Sequence, residues 1–119
     1  MNLFREQQIT RVSFDFSISF TFDHGAELFV ENNLDVLDGD RINQIKTADF
    51  TSFAGLIVGL LNRTVSFATT SDEGVLMLKF DSQLTIEVKP SEAFEAWSYN
   101  ENGSRKIVCM PGGGLAIWS

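Results

Sequence analysis

Residues Phe94 to Trp118 read FEAWSYNENGSRKIVCMPGGGLAIW, and their punctuation decides the fold. Short strand-like runs around Trp97, Val108 and Ile117 are separated by Asn102-Gly103 and by Pro111-Gly112-Gly113-Gly114. Asn-Gly is the strongest two-residue hairpin signal, because a type I′ turn needs positive φ at both central residues. A two-residue turn there sets Trp97 opposite Val108. A connection from Pro111 to Gly114 sets Cys109 opposite Ala116 and Ile107 opposite Trp118, which makes the last strand core rather than tail.

The same register reasoning runs upstream. A three-residue loop from Asp81 to Gln83 pairs Leu78 with Ile86 and Leu76 with Val88, and a four-residue loop from Ser71 to Gly74 pairs Val65 with Phe80 and Phe67 with Leu78. Asp23-His24-Gly25 fits a three-residue hairpin with Gly25 in the left-handed region, setting Phe20 against Leu28 and Ile18 against Val30. Residues 12 to 22 alternate apolar and polar without a fault. A two-residue hairpin inside that run would set Phe14 opposite Ser17 and throw half the phenylalanines into solvent, so the run reads as one long, bent strand.

Residues 32 to 48 are polar and aperiodic and read as a loop with at most one short element. After them Phe50, Phe53, Ala54, Ile57, Leu60 and Leu61 recur at helical spacing, with Asp49 or Thr51 placed to cap. Leu56 and Val58 widen that stripe, so the helix is expected to be buried on most of its circumference. The predicted fold is α+β in one domain, residues 1–119: about eight antiparallel strands in a curled sheet packed around one buried helix, residues 50–61. Phe20, Leu78, Phe80, Val108 and Ile117 are the expected core.

Sixteen acidic residues against nine basic ones give a net charge of −7. Nucleic acid and anionic membrane surfaces both select a clustered positive footprint, and here only Arg105-Lys106 are adjacent bases. The longest apolar run, Phe53 to Leu61, is far short of the roughly 20 residues of a membrane span. One cysteine leaves no intrachain disulfide, and Met1 to Gln8 hold no apolar signal region, so a cytoplasmic location is expected.

Catalytic constellations are scarce. Cys109 falls mid-strand without a base to hold it as thiolate, and His24 sits at a hairpin tip. Asp35, Asp38 and Asp40 offer oxygen ligands, but in the calcium-loop register that uses Gly39, apolar residues fall at ligand positions, so the stretch reads as a turn. The glycines after Pro111 lead into a strand rather than a helix, which a phosphate loop requires. No metal and no cofactor is expected. Glu95 and Tyr99, beside a Trp97 read as core, are taken as the exposed members of a partner-binding patch, since aromatic residues are over-represented among interface hot spots.

The chain resembles a family of small bacterial proteins classed as a domain of unknown function. The resemblance covers Leu60 to Trp118 and rests on Leu60-Leu61 with Thr64-Val65, Gly74-Val75-Leu76, Phe80-Asp81, Val88 with Pro90, Glu95-Ala96-Trp97, Val108-Cys109-Met110-Pro111-Gly112-Gly113 and Leu115-Ala116-Ile117-Trp118. The chain departs from the family pattern at Ser82, where glycine is usual, and at Phe94, where tyrosine is. The resemblance implies no assigned activity and no catalytic residue, and some members look like immunity partners of bacterial toxins.

Two classes of function follow. One is a non-catalytic protein-binding module of the immunity type, in which an acidic face of Asp38, Asp40, Asp72 and Glu73 meets a basic partner, with a homodimer the favoured form of self-association. The other is a small-ligand binder or hydrolase-type enzyme whose pocket uses carboxylates such as Asp15 or Glu87 as acid and base. A flat acidic face speaks for the first, and a deep pocket with two converging carboxylates for the second.

Overall fold

The faultless alternation of residues 12 to 22 is not one strand but a hairpin. The structure is a computed structural model that describes the backbone of residues 1–119 and every side chain except those of residues 48, 50 and 52. In it β1 (Asn2–Phe14) turns at Asp15 to Ser17 into β2 (Ile18–Phe22), with Phe14 opposite Ile18 and Val12 opposite Phe20. A three-residue loop preserves the period of two, so apolar faces apolar on both arms, and the cost is a single phenylalanine, Phe16, stranded at the tip.

Next come β3 (Glu27–Val30), β4 (Leu34–Asp38), β5 (Arg41–Ile45), β6 (Thr64–Thr70), β7 (Leu76–Phe80), β8 (Leu84–Val88), β9 (Trp97–Glu101), β10 (Arg105–Cys109) and β11 (Leu115–Trp118). All pairings are antiparallel, in the order β11-β10-β9-β3-β2-β1-β6-β7-β8-β4-β5. β1 is the corner of this sheet. Its first half pairs with β6 and its second with β2, with register shifts near Phe4 and Thr10 and a positive φ at Glu6. Such irregularities bend a strand and increase its twist. The bend lets the two halves of the sheet bury their apolar faces in a single core that includes Ile9, Phe20, Leu78, Phe80, Trp97 and Ile107.

The α+β expectation of about eight strands around a buried helix is therefore corrected: the described residues form an eleven-stranded, nearly all-β structure. Where a helix over residues 50–61 was expected, there is a 3-10 stretch, Thr47–Ser52, broken at Asp49, and then α1 (Ala54–Val58). No side chain caps α1. Ile57 and Leu60 are buried, but Leu56, Val58 and Leu61 are exposed, and the Phe50 side chain lies outside the described residues. Gly55 and Gly59 each cost about 1 kcal/mol of helix propensity relative to alanine, and helices this short depend on packing that this one lacks on its outer side. Residues 32 to 48, read as a loop, instead hold the β4-β5 hairpin. Its Gly39-Asp40 turn has Gly39 at φ 63, and Leu34, Val36 and Ile45 point into the core. The alternation is hidden because Asp38, Arg41 and Asn43 fall on the face of Leu34, Val36 and Ile45, while the apolar Leu37 and Ile42 fall on the outward one.

The hairpins at Asp23 to Gly25 and Asp81 to Gln83 have the predicted registers, and Val65 faces Phe80. Three other loops are one residue longer than predicted. Asn102 to Ser104 places Ser98, not Trp97, opposite Val108. Met110 to Gly114 places Leu115, not Ala116, opposite Cys109, and Ile117 opposite Ile107. Ser71 to Val75 places Ala68, not Phe67, opposite Leu78, and a bulge between Val65 and Phe67 absorbs the difference. Of the expected core, Phe20, Leu78, Phe80 and Val108 are buried, but Ile117 is 50% exposed because β11 is the sheet edge and nothing covers its end.

Candidate functional site

Glycine lets two backbones touch where any side chain would hold them apart, and that happens where the two halves of the sheet meet. Gly74 (φ 86), in the β6-β7 turn, lies against Gly113 (φ 100), in the β10-β11 loop. A Cβ on Gly74 would run into the carbonyl oxygen of Gly113, and one on Gly113 into the carbonyl oxygen of Glu73. The joint is bonded from below: the Trp97 indole Nε1 donates to the Gly74 carbonyl at 3.0 Å, and the Cys109 Sγ sits 3.5 Å from the same oxygen. Gly112 N donates to Ser91 O at 2.8 Å, tying in the β8-β9 connection, and Asn32 Nδ2 donates to Lys89 O at 2.9 Å. The Cys-Met-Pro-Gly-Gly segment is thus a latch between the half-sheets. Burial raises the Cys109 thiol pKa, which keeps it protonated and unreactive.

Acidic residues gather on the segments that this latch joins. Asp72 and Glu73 are exposed in the β6-β7 turn, and Glu92 and Glu95 in the β8-β9 connection. Glu31 follows β3, its N–H bonded to Ala96 O at 2.8 Å. Asp15 lies in the β1-β2 turn, which the Ile18–Val30 pairing puts at the same end of its half-sheet as Glu31. Among these carboxylates stand exposed apolar side chains: Phe16 (97%), Phe94 (44%) and Met110 (41%). The nearby bases are Lys89 and Lys106, the latter in a cleft of about 120 Å³ with Glu31 and Glu95.

The predicted site residues do not all come together. Asp72, Glu73 and Glu95 share the latch end. Asp38 and Asp40 lie at the far end of β7, where Gln83 Nε2 donates to Asp38 Oδ1 at 2.8 Å. Tyr99 is in the interior, not on the surface. Its spacing from Trp97, two residues along one strand, could have revealed this, since both side chains must then share a face. The Tyr99 hydroxyl is 3.4 Å from His24 Nε2, and its ring stacks on Phe4 with centroids 6.0 Å apart. Arg105, paired with Glu101 at 2.8 Å, also donates from Nη2 to Leu3 O at 2.8 Å. Burial, seconded by Glu101 and opposed by Arg105, pushes the Tyr99 pKa up to about 12. Sequence reasoning missed Phe16, Phe94 and Met110 as surface residues, because their apolar character argued for core.

A larger concavity than the Lys106 cleft lies at the other end, beside α1. It has a volume of about 460 Å³ and is lined by Leu56, Leu60, Arg63, Leu84 and one carboxylate, Asp38. Arg63 Nη2 donates to Ser82 Oγ at 2.9 Å. Asp15 and Glu87, the candidate acid and base, do not converge there. Glu87 instead faces Asp35 across β4 and β8 on the outer side of the sheet. Among the described residues, no group of three or more His, Cys, Asp or Glu side chains is placed to hold a metal ion, and no helix is long and apolar enough to cross a membrane.

The whole chain, residues 1–119, matches the model of a family of unknown function (DUF6188), and the protein belongs to that family. No curated protein and no solved structure matches it.

Proposed function

From membership of a family without an assigned activity, we propose that the chain is a non-catalytic protein-binding module that holds a basic partner at its latch end. The observation that carries this reading is the placement of Phe16, Phe94 and Met110, all exposed, among Asp15, Glu31, Asp72, Glu73, Glu92 and Glu95. Apolar anchors supply affinity once dried by a partner, and the surrounding carboxylates steer a cationic surface toward them and reject acidic ones. The Gly74–Gly113 joint holds this surface rigid, so little ordering entropy is lost on binding. An immunity-type role, in which the partner is a basic toxin, is the specific form suggested by the resemblance of the C-terminal half.

The experiment uses a panel of lysine-rich amphipathic peptides against the immobilised chain. Binding is expected to weaken as salt shortens the Debye length below about 10 Å at 0.1 M. The triple reversal Asp72→Lys, Glu73→Lys, Glu95→Lys should abolish it and Phe94→Ala should speed dissociation, whereas Asp38→Lys with Asp40→Lys at the far end should leave it unchanged. Binding that ignores the triple reversal, or responds only to the far-end pair, refutes the assignment.

A further inference from the structure

An antiparallel sheet that does not close has two edges, and this one ends in β11 and β5. Edge strands expose unpaired backbone N–H and C=O groups, and proteins ordinarily guard them with charges, prolines or bulges. The β5 edge follows that rule: Arg41, Asn43 and Gln44 are exposed along it, and Asp40 precedes it. The β11 edge does not. From Ile107 to Ser119 there is no charged side chain, and β11 itself, Leu115-Ala116-Ile117-Trp118, has neither proline nor bulge. Ile117 and Trp118 point to opposite faces of the sheet, yet are 50% and 54% exposed, so the end of the strand is uncovered on both faces.

We propose that β11 is a dimerisation edge, where two copies of the chain pair antiparallel about a two-fold axis and continue one sheet into the other. A second copy is the occupant that the charges select. Two chains of net charge −7 repel across most of their surfaces, the latch end above all. The β11 edge carries no charged side chain of its own, so it is where two such chains repel least; of the neighbouring bases, Arg105 is already paired with Glu101, and Lys106, opposite Trp118, shares a cleft with Glu31 and Glu95. A strand paired with its own copy about a two-fold is self-complementary and closes after two subunits, while β11 on β5 would propagate without limit. Four residues per copy make a small contact, so the dimer is a weak, reversible one. This surface is distinct from the latch end, and each stands or falls without the other.

Sedimentation velocity of the chain from about 5 to about 500 µM, a span that reaches the weak affinities of small contacts, tests the assignment. The parent is expected to pass from monomer to dimer and no further. Ile117→Lys and, independently, Trp118→Glu should remain monomeric across the range, with circular dichroism confirming the fold, while Ile42→Lys on β5 should dimerise like the parent. In the parent, hydrogen exchange at residues 115–118 should slow as concentration rises, a readout that needs no variant. A parent that stays monomeric, a dimer insensitive to both β11 variants, assemblies that grow beyond two, or exchange at 115–118 indifferent to concentration would each overturn the proposal.

Discussion

Gly74 and Gly55 are the same residue in opposite circumstances. At Gly74 an added Cβ would strike the backbone of Gly113, whereas at Gly55, in α1, there is nothing within 4 Å. The latch end around Gly74 is sealed, with Trp97 and Cys109 buried beneath two touching backbones. The α1 end is open, with Leu56, Val58 and Leu61 exposed near a groove of about 460 Å³. Glycine at the first is required by contact. At the second it only loosens a helix.

The largest effect that follows is at the latch. Gly113→Ala is expected to destabilise the protein by about 3 to 5 kcal/mol, combining a positive φ that alanine resists with a backbone collision. Denaturant unfolding measures it, and Cys109 should turn reactive toward a thiol reagent as the joint opens. A variant as stable as the parent, with a silent thiol, would mean that the seal is not where stability resides.

A smaller effect tests how dry the same half-sheet is at Tyr99, the chain's one tyrosine. Its phenol is held neutral in the folded state, with a pKa of about 12 against an ordinary 10.0. Above pH 10 the unfolded chain therefore releases a proton that the native state keeps, so stability should fall from about pH 10 to pH 12, by about 2 kcal/mol in all. Tyrosinate absorbance reads the group directly, and Tyr99→Phe should flatten that part of the pH profile. A midpoint near 10 would show the interior wetter than its packing indicates.

The smallest effect has the opposite sign. Gly55→Ala should stabilise by about 0.5 to 1 kcal/mol through helix propensity and a less flexible unfolded chain, since the site is open and its φ is not positive. Loss of stability there would erase the contrast between the two ends.

Several hairpins were legible because a loop and its flanking alternation point to one register, as at Asp23 to Gly25 and Asp81 to Gln83. The three misread loops each incorporate one flanking residue. Ser104 N bonds Glu101 O, Ser71 N bonds Val75 O, and Met110 N bonds Gly114 O, closures that turn composition alone does not distinguish from shorter ones. Of the residues singled out in the sequence, Asp72, Glu73 and Glu95 fall on the segments joined at the latch, yet nothing local showed that Asp38 and Asp40 lie a strand's length away. Phe50 to Leu61 misled because helical spacing says which side chains share a face, not whether anything will cover it.

The sequence by itself determined a chain of antiparallel hairpins, where most of them turn, and much of what they bury, because turn geometry and the period of two act over a handful of residues. Tertiary structure decided that β1 would be a corner, that the Pro-Gly-Gly-Gly loop would meet Gly74, that Tyr99 would be sealed and Ile117 bare, and that carboxylates dispersed along the chain would gather at one end. Those outcomes depend on pairings between segments tens of residues apart. Each must offset the entropy of closing its loop, and they are selected by the sum of many small packing terms that no local pattern contains.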